Sequence, residues 1–130
     1  MSSKPVIVTF GIVALVVVGC SKGGTPTTPS RASADRAKSL EAYDFPIGST
    51  DVARGEVVYA TFCDGCHPGG QGGDGPKLID LSASPSQMRY KIRNGSDDMP
   101  AFGESKISDQ DLEALLAYTV TLGAVSPSLQ

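Results

Sequence analysis

The only histidine in the chain stands directly after a pair of cysteines, in Cys63-Asp64-Gly65-Cys66-His67. Five residues span at most about 17 Å even when extended, so any fold brings two thiols and an imidazole to one place. A redox dithiol of the thioredoxin kind needs a βαβ setting, and no such pattern is present. A zinc site needs a fourth ligand, and the remaining cysteine, Cys20, lies across a long linker. A structural disulfide leaves His67 without a role. The C-x-x-C-H pattern itself is that of covalent c-type haem attachment. Two thiols about one helical turn apart reach two vinyl groups on one porphyrin edge, and the next residue presents its imidazole to the iron.

The chain has 130 residues, enough for one small domain and too few for a multidomain enzyme. Lys and Arg number 11 against 14 Asp and Glu, for a net charge of −3. No basic excess is available to neutralise phosphates, so nucleic-acid binding is not expected.

Residues 6–18 form an apolar run of thirteen, interrupted by Thr9 and Gly11 and preceded by Lys4. As a helix the run covers about 20 Å, short of a ~30 Å hydrocarbon core. Residues 1–20 therefore read as an export signal rather than a folded element. Their end, Val17-Val18-Gly19-Cys20, resembles a bacterial lipoprotein signal, with Val17 where that family usually has Leu. The resemblance implies lipidation of Cys20 and a lipid anchor facing the periplasm, on either the inner or the outer membrane. An ordinary signal peptide or an uncleaved anchor is the alternative.

Residues 21–50 read as a flexible tether. Residues 21–30 have no large apolar side chain and cannot bury a core. Residues 31–43 are Ala-rich, and either form a short helix or extend the tether. As free coil, residues 21–50 would reach about 30 Å. The domain is expected at residues 51–124, with 125–130 as a tail. Residues 51–123 hold 6 Lys and Arg against 11 Asp and Glu, so the unit is acidic.

Three main helices are expected, and the fold class is all-α. The first opens at Thr50 or Asp51 and runs through Phe62, with Val52, Gly55, Tyr59 and Phe62 at helical spacing. The second begins at Ser84-Pro85-Ser86-Gln87, a capping box with proline at the first helical position, and ends at Asn94-Gly95. The third is capped by Ser108, carries Leu112, Leu115, Leu116, Thr119 and Leu122 on one face, and stops at Gly123. Between the first two helices, residues 68–83 are rich in glycine and poor in large apolar residues. A connection that long argues against a compact domain unless something else fills the centre. A buried macrocycle does so.

At this point the chain resembles the small single-haem cytochromes c of class I, over about residues 51–123. Gly55, Tyr59 and Cys63 match that family's first-helix spacing, where glycine lets another helix cross closely. Leu115 and Tyr118 match its aromatic contact on the last helix. Gly75-Pro76 before Leu78 resembles the segment whose proline carbonyl accepts the hydrogen bond of the proximal imidazole. Met99-Pro100-Ala101-Phe102 resembles its distal-ligand loop. The resemblance implies a cytochrome c fold around one covalent haem c, held by Cys63 and Cys66. It further implies iron bound by His67 and Met99, and Pro76 orienting His67.

Met88 is the rival sixth ligand. It lies mid-helix, four residues before Ile92, at the spacing of a packed apolar face. Met99 lies in a loop, where Pro100 favours extended backbone and a flexible thioether can approach the metal. Arg89 and Arg93, four apart, read either as partners for the haem propionates or as a solvated basic face. Gly69-Gly70-Gln71-Gly72-Gly73-Asp74 fits one unit of a calcium-binding repeat, but such repeats need about three or more copies.

The expected function is one-electron transfer, with both axial positions filled and no small-molecule substrate. Partners would be periplasmic or membrane redox proteins met in brief, small-interface encounters. A five-coordinate ligand-binding or sensor module, a haem peroxidase, and a fixed subunit of a larger redox complex are the alternatives.

Overall fold

The computed structural model describes residues 31–127. The export signal, Cys20, the Gly/Pro-rich linker and residues 128–130 lie outside the described residues. Four α-helices follow in order: α1 (Arg31–Glu41), α2 (Val52–Phe62), α3 (Pro85–Asn94) and α4 (Asp109–Thr121), with a 3-10 turn at Pro68–Gly70. The fold is all-α. The described residues contain two isolated bridges, Ala83 with Val125 and Ser96 with Met99, and no strand.

The helix starts follow the capping chemistry. Asp51 caps α2 by accepting from the Arg54 amide. Ser84 and Gln87 close a reciprocal capping box at α3, with Pro85 at the first turn. Ser108 caps α4 through the Asp111 amide. The ends differ slightly. α4 finishes at Thr121, before Gly123. Gly95 caps α3 at φ 67°, but its ψ of −173° sends the chain out extended rather than into a left-handed helical turn.

α2 packs across α4 and supplies the main core contact. A Cβ on Gly55 would collide with the Ala114 carbonyl oxygen and lie 2.8 Å from Cβ of Tyr118, so only glycine permits this approach. The rings of Tyr59 and Tyr118 meet beside it, centroids 5.2 Å apart. The buried face of α2 is Gly55, Val58 and Tyr59; Val52 and Phe62, expected in that stripe, are both exposed. On α4, Leu112, Leu115, Leu116 and Thr119 are all buried, as their spacing requires.

The long glycine-rich connection is held by its own backbone bonds. The amides of Leu78 and Ile79 both donate to the Gly70 carbonyl, and Gly75 donates to Cys66. Further on, Asp80, Ser82 and Ala83 donate to Leu122, Gly123 and Ala124, just past α4. Val125, expected in the tail, is a core residue at 2% exposure.

The folded unit also starts earlier than residue 51. Residues 31–41 form α1, which packs on α3, and the chain after it is clasped to the domain. Arg89, fully buried, donates to both carboxylate oxygens of Glu113 (2.7 and 2.8 Å) and to the carbonyls of Tyr43, Phe45 and Pro46. Five bonds use all five guanidinium donors. Glu113 completes the clasp by accepting from the Gly48 amide at 2.7 Å. Arg93 likewise donates to the carbonyls of Phe102 and Ile107 and to Asp109. Neither arginine is on a solvated face, and neither is available to a cofactor; each ties loop backbone to α3. No helix among the described residues is long and apolar enough to cross a membrane.

Candidate haem site

Cys63 caps the C-terminus of α2, its amide bonded to the Tyr59 carbonyl. The turn that follows is closed by the amides of Cys66 and His67, which both donate to the Cys63 carbonyl at 3.1 and 2.9 Å. This turn carries both thiols and the imidazole to the end of α2. Asp64 steadies the next segment by accepting from the Gly69 amide. Tyr59, one turn before Cys63, donates its hydroxyl to the His67 carbonyl. Spacing alone suggested only a core role for Tyr59.

The imidazole is 7% exposed and held from two sides. Its Nδ1 lies 2.8 Å from the Pro76 carbonyl oxygen. A carbonyl can only accept, so Nδ1 carries the proton and the Nε2 lone pair is left for another partner. Gly75 packs flat on the ring: a Cβ there would lie 2.7 Å from both ring nitrogens.

The residues expected to hold the haem all border one cavity of about 450 Å³. Cys63, Cys66, His67 and Pro76 line one part, and Met99 reaches it from the loop after α3. Met88 also lines it, as do Phe62, Leu78, Ile92 and Phe102. Cys20 lies outside the described residues. The Met99 loop is tightly held: Met99 and Ser96 exchange backbone hydrogen bonds, and the Phe102 amide donates to Ile92 on α3. Two residues of α1, Arg36 and Leu40, also border the cavity, which nothing in the spacing of residues 31–43 announced.

This donor set fits a covalently held haem. The walls are largely apolar, the imidazole offers a lone pair, and thioethers are present for a second iron ligand. Burial, with Cys66 and Asp64 nearby, pushes the Cys63 thiol up to about 11. Among the described residues no group of three His, Cys, Asp or Glu side chains could hold a metal ion.

Residues 50–118 match the family model described as cytochrome c oxidase, cbb3-type, subunit III. The chain belongs to the c-type cytochrome family. The cytochrome is 35% identical over 88 residues to a cytochrome c6 of Synechocystis sp., covering 58% of this chain and 72% of that protein. It is 32% identical over 79 residues to cytochrome c6 of Bumilleriopsis filiformis, covering 55% of this chain and 91% of the relative. With cytochrome c6 of Cyanidioschyzon merolae it shares 30% over 82 residues, covering 57% and 77%. No solved structure gives a significant match. Membership of this family, with the C-x-x-C-H motif, makes the chain a single-haem electron carrier with a covalently bound haem c.

Proposed function

We propose that the cytochrome is a one-electron shuttle with His67 and Met99 as the axial iron ligands, tethered through Cys20 to the periplasmic side of a bacterial membrane. The observation that carries the ligand assignment is the shared cavity, in which a pinned imidazole and the Met99 loop both reach the interior. Bound haem supplies an iron couple that gains or loses one electron. The protein's part is to keep the ligand set unchanged as it does so. Pro76 holds the Nδ1 proton, and Gly75 and Tyr59 restrict the ring and backbone of His67. On the other side, the Ser96–Met99 bonds and the Arg93 bond to Phe102 hold the methionine loop. Phe62, Leu78, Ile92 and Phe102 exclude water.

Met99 is favoured over Met88 because Met88 is 8% exposed and packed in the core cluster on α3. The test is the visible spectrum of the ferric protein. Met99→Ala should lose the weak long-wavelength sulfur–iron band, while Met88→Ala keeps it. A band that survives in Met99→Ala and vanishes in Met88→Ala reverses the assignment.

A second reading places the same haem unit as a fixed subunit of a larger redox complex. The family model matched by residues 50–118, described as an oxidase subunit, supports it. Stoichiometric co-purification with other chains after mild detergent extraction would favour the subunit; isolation alone would favour the shuttle.

A further inference from the structure

A covalent haem brings two propionate carboxylates into its pocket, and burying them without cations or hydrogen bonds is costly. The two arginines of α3 that sequence spacing offered for this role are committed elsewhere. Arg89 spends all five donors on Glu113 and three carbonyls, and Arg93 on two carbonyls and Asp109. Among the described residues bordering the cavity, the lysine and arginine side chains are Arg36 and Lys91. Both also border the adjoining groove between α1 and α3, so they share one end of the pocket. The Arg36 side chain makes no hydrogen bond or ion pair among the described residues. Lys91 donates to the Ser96 hydroxyl at 2.6 Å and has no carboxylate partner among them. Asp74, Asp97 and Asp98 line the same cavity, and Asp35 and Asp97 the adjoining groove; all four are exposed and none forms an ion pair with these cations.

We infer that Arg36 and Lys91 form the carboxylate-binding end of the haem pocket, so that α1, an element outside the matched family region, supplies a cofactor contact. The inference rests on the haem reading. The geometry that makes it possible is the clasp at Arg89 and Glu113, which anchors the chain just after α1 and keeps Arg36 over the cavity. A guanidinium suits this task because its planar fork matches a carboxylate and stays charged at any working pH.

The experiment uses the full-length holo-cytochrome and the variants Arg36→Gln, Arg36→Lys, Lys91→Gln and Lys38→Gln. Lys38 is on α1 but does not border the cavity, so it carries the same charge change without the contact. Removing a cation beside the haem favours ferric iron. Arg36→Gln and Lys91→Gln should each lower the equilibrium constant for reduction by about threefold to tenfold at low salt, and less at high salt. Lys38→Gln should change it by less than about twofold, and Arg36→Lys should stay near wild type. The propionate methylene proton resonances of the ferric protein should move in Arg36→Gln and stay in place in Lys38→Gln. If Arg36→Gln and Lys38→Gln behave alike in both measurements, the inference is overturned. The covalent haem mass, read on the same samples, reports separately on the haem reading. Arg36 is exposed, so its variants test the idea even if Lys91→Gln fails to fold.

Discussion

The carbonyl oxygen of Pro76 accepts a hydrogen bond from Nδ1 of His67, nine positions earlier in the chain, at 2.8 Å. That one contact decides which imidazole nitrogen carries the proton and which keeps its lone pair. It depends on Gly75, where any side chain would meet the ring. Gly75→Ala should displace the imidazole or the loop, costing about 1–3 kcal/mol of holoprotein stability by overpacking. Urea unfolding followed by haem absorbance measures the cost, and a ligand-band change in the same spectrum would show that the ring has moved.

The crossing of α2 over α4 has a similar dependence. Gly55→Ala places a methyl group against the Ala114 carbonyl, where backbone rather than a flexible side chain must give way. A loss of about 2 kcal/mol or more is expected, because the crossing also seats Tyr59, which bonds to His67. Thermal unfolding of Gly55→Ala measures the loss, and its ligand spectrum should stay closer to wild type than that of Gly75→Ala.

Arg89 and Glu113 form a buried pair whose loss should be expensive. Arg89→Met leaves a partly buried carboxylate and three carbonyls short of a donor, and should cost about 3–5 kcal/mol. Adding Glu113→Leu should recover only part, because the carbonyls of Tyr43, Phe45 and Pro46 stay unsatisfied.

The same pair sets an acid limit. Burial alone would raise the Glu113 pKa, but the hydrogen bonds from Arg89 and the Gly48 amide, with the Arg89 charge, hold it below its ordinary value of 4.5. A carboxyl with a depressed folded pKa stabilises the fold above its unfolded pKa. That contribution is lost as pH falls through the folded value. Denaturation midpoints measured below pH 4.5 should therefore fall more steeply for the wild type than for Glu113→Gln.

The domain's acidity predicts how it meets partners. With 6 Lys and Arg against 11 Asp and Glu over residues 51–123, it should dock on a basic surface. Stopped-flow electron transfer with a cationic partner should slow by about tenfold or more as salt rises from low to physiological ionic strength. An unchanged rate would remove the electrostatic account.

The proposed anchor at Cys20 makes a separate prediction. Cys20→Ala should move the haem protein from the membrane to the soluble fraction, as judged by haem staining. Lipid chains contribute about 0.8 kcal/mol for each buried CH₂.

Local chemistry was readable directly. Asp51, Ser84 and Ser108 each cap the helix that their side chain suits, and the apolar spacing of Leu112, Leu115, Leu116 and Thr119 marks the buried face of α4. The C-x-x-C-H motif names its cofactor because the chemistry is contained in five consecutive residues. Where a side chain's partner is distant in the chain, the pattern was silent or misleading. Four-residue spacing made Arg89 and Arg93 look like a face, yet Arg89 answers to carbonyls more than forty residues earlier. Val125 and residues 43–48 looked like loose ends, because their bonds to Ala83, Arg89 and Glu113 leave no local periodicity. Capping, helical faces and covalent attachment depend on neighbours within a turn or two, so they can be read from the order of residues. Whether a buried cation is matched, where the domain begins, and which charges border the cavity depend on contacts that exist only once the chain has closed on itself.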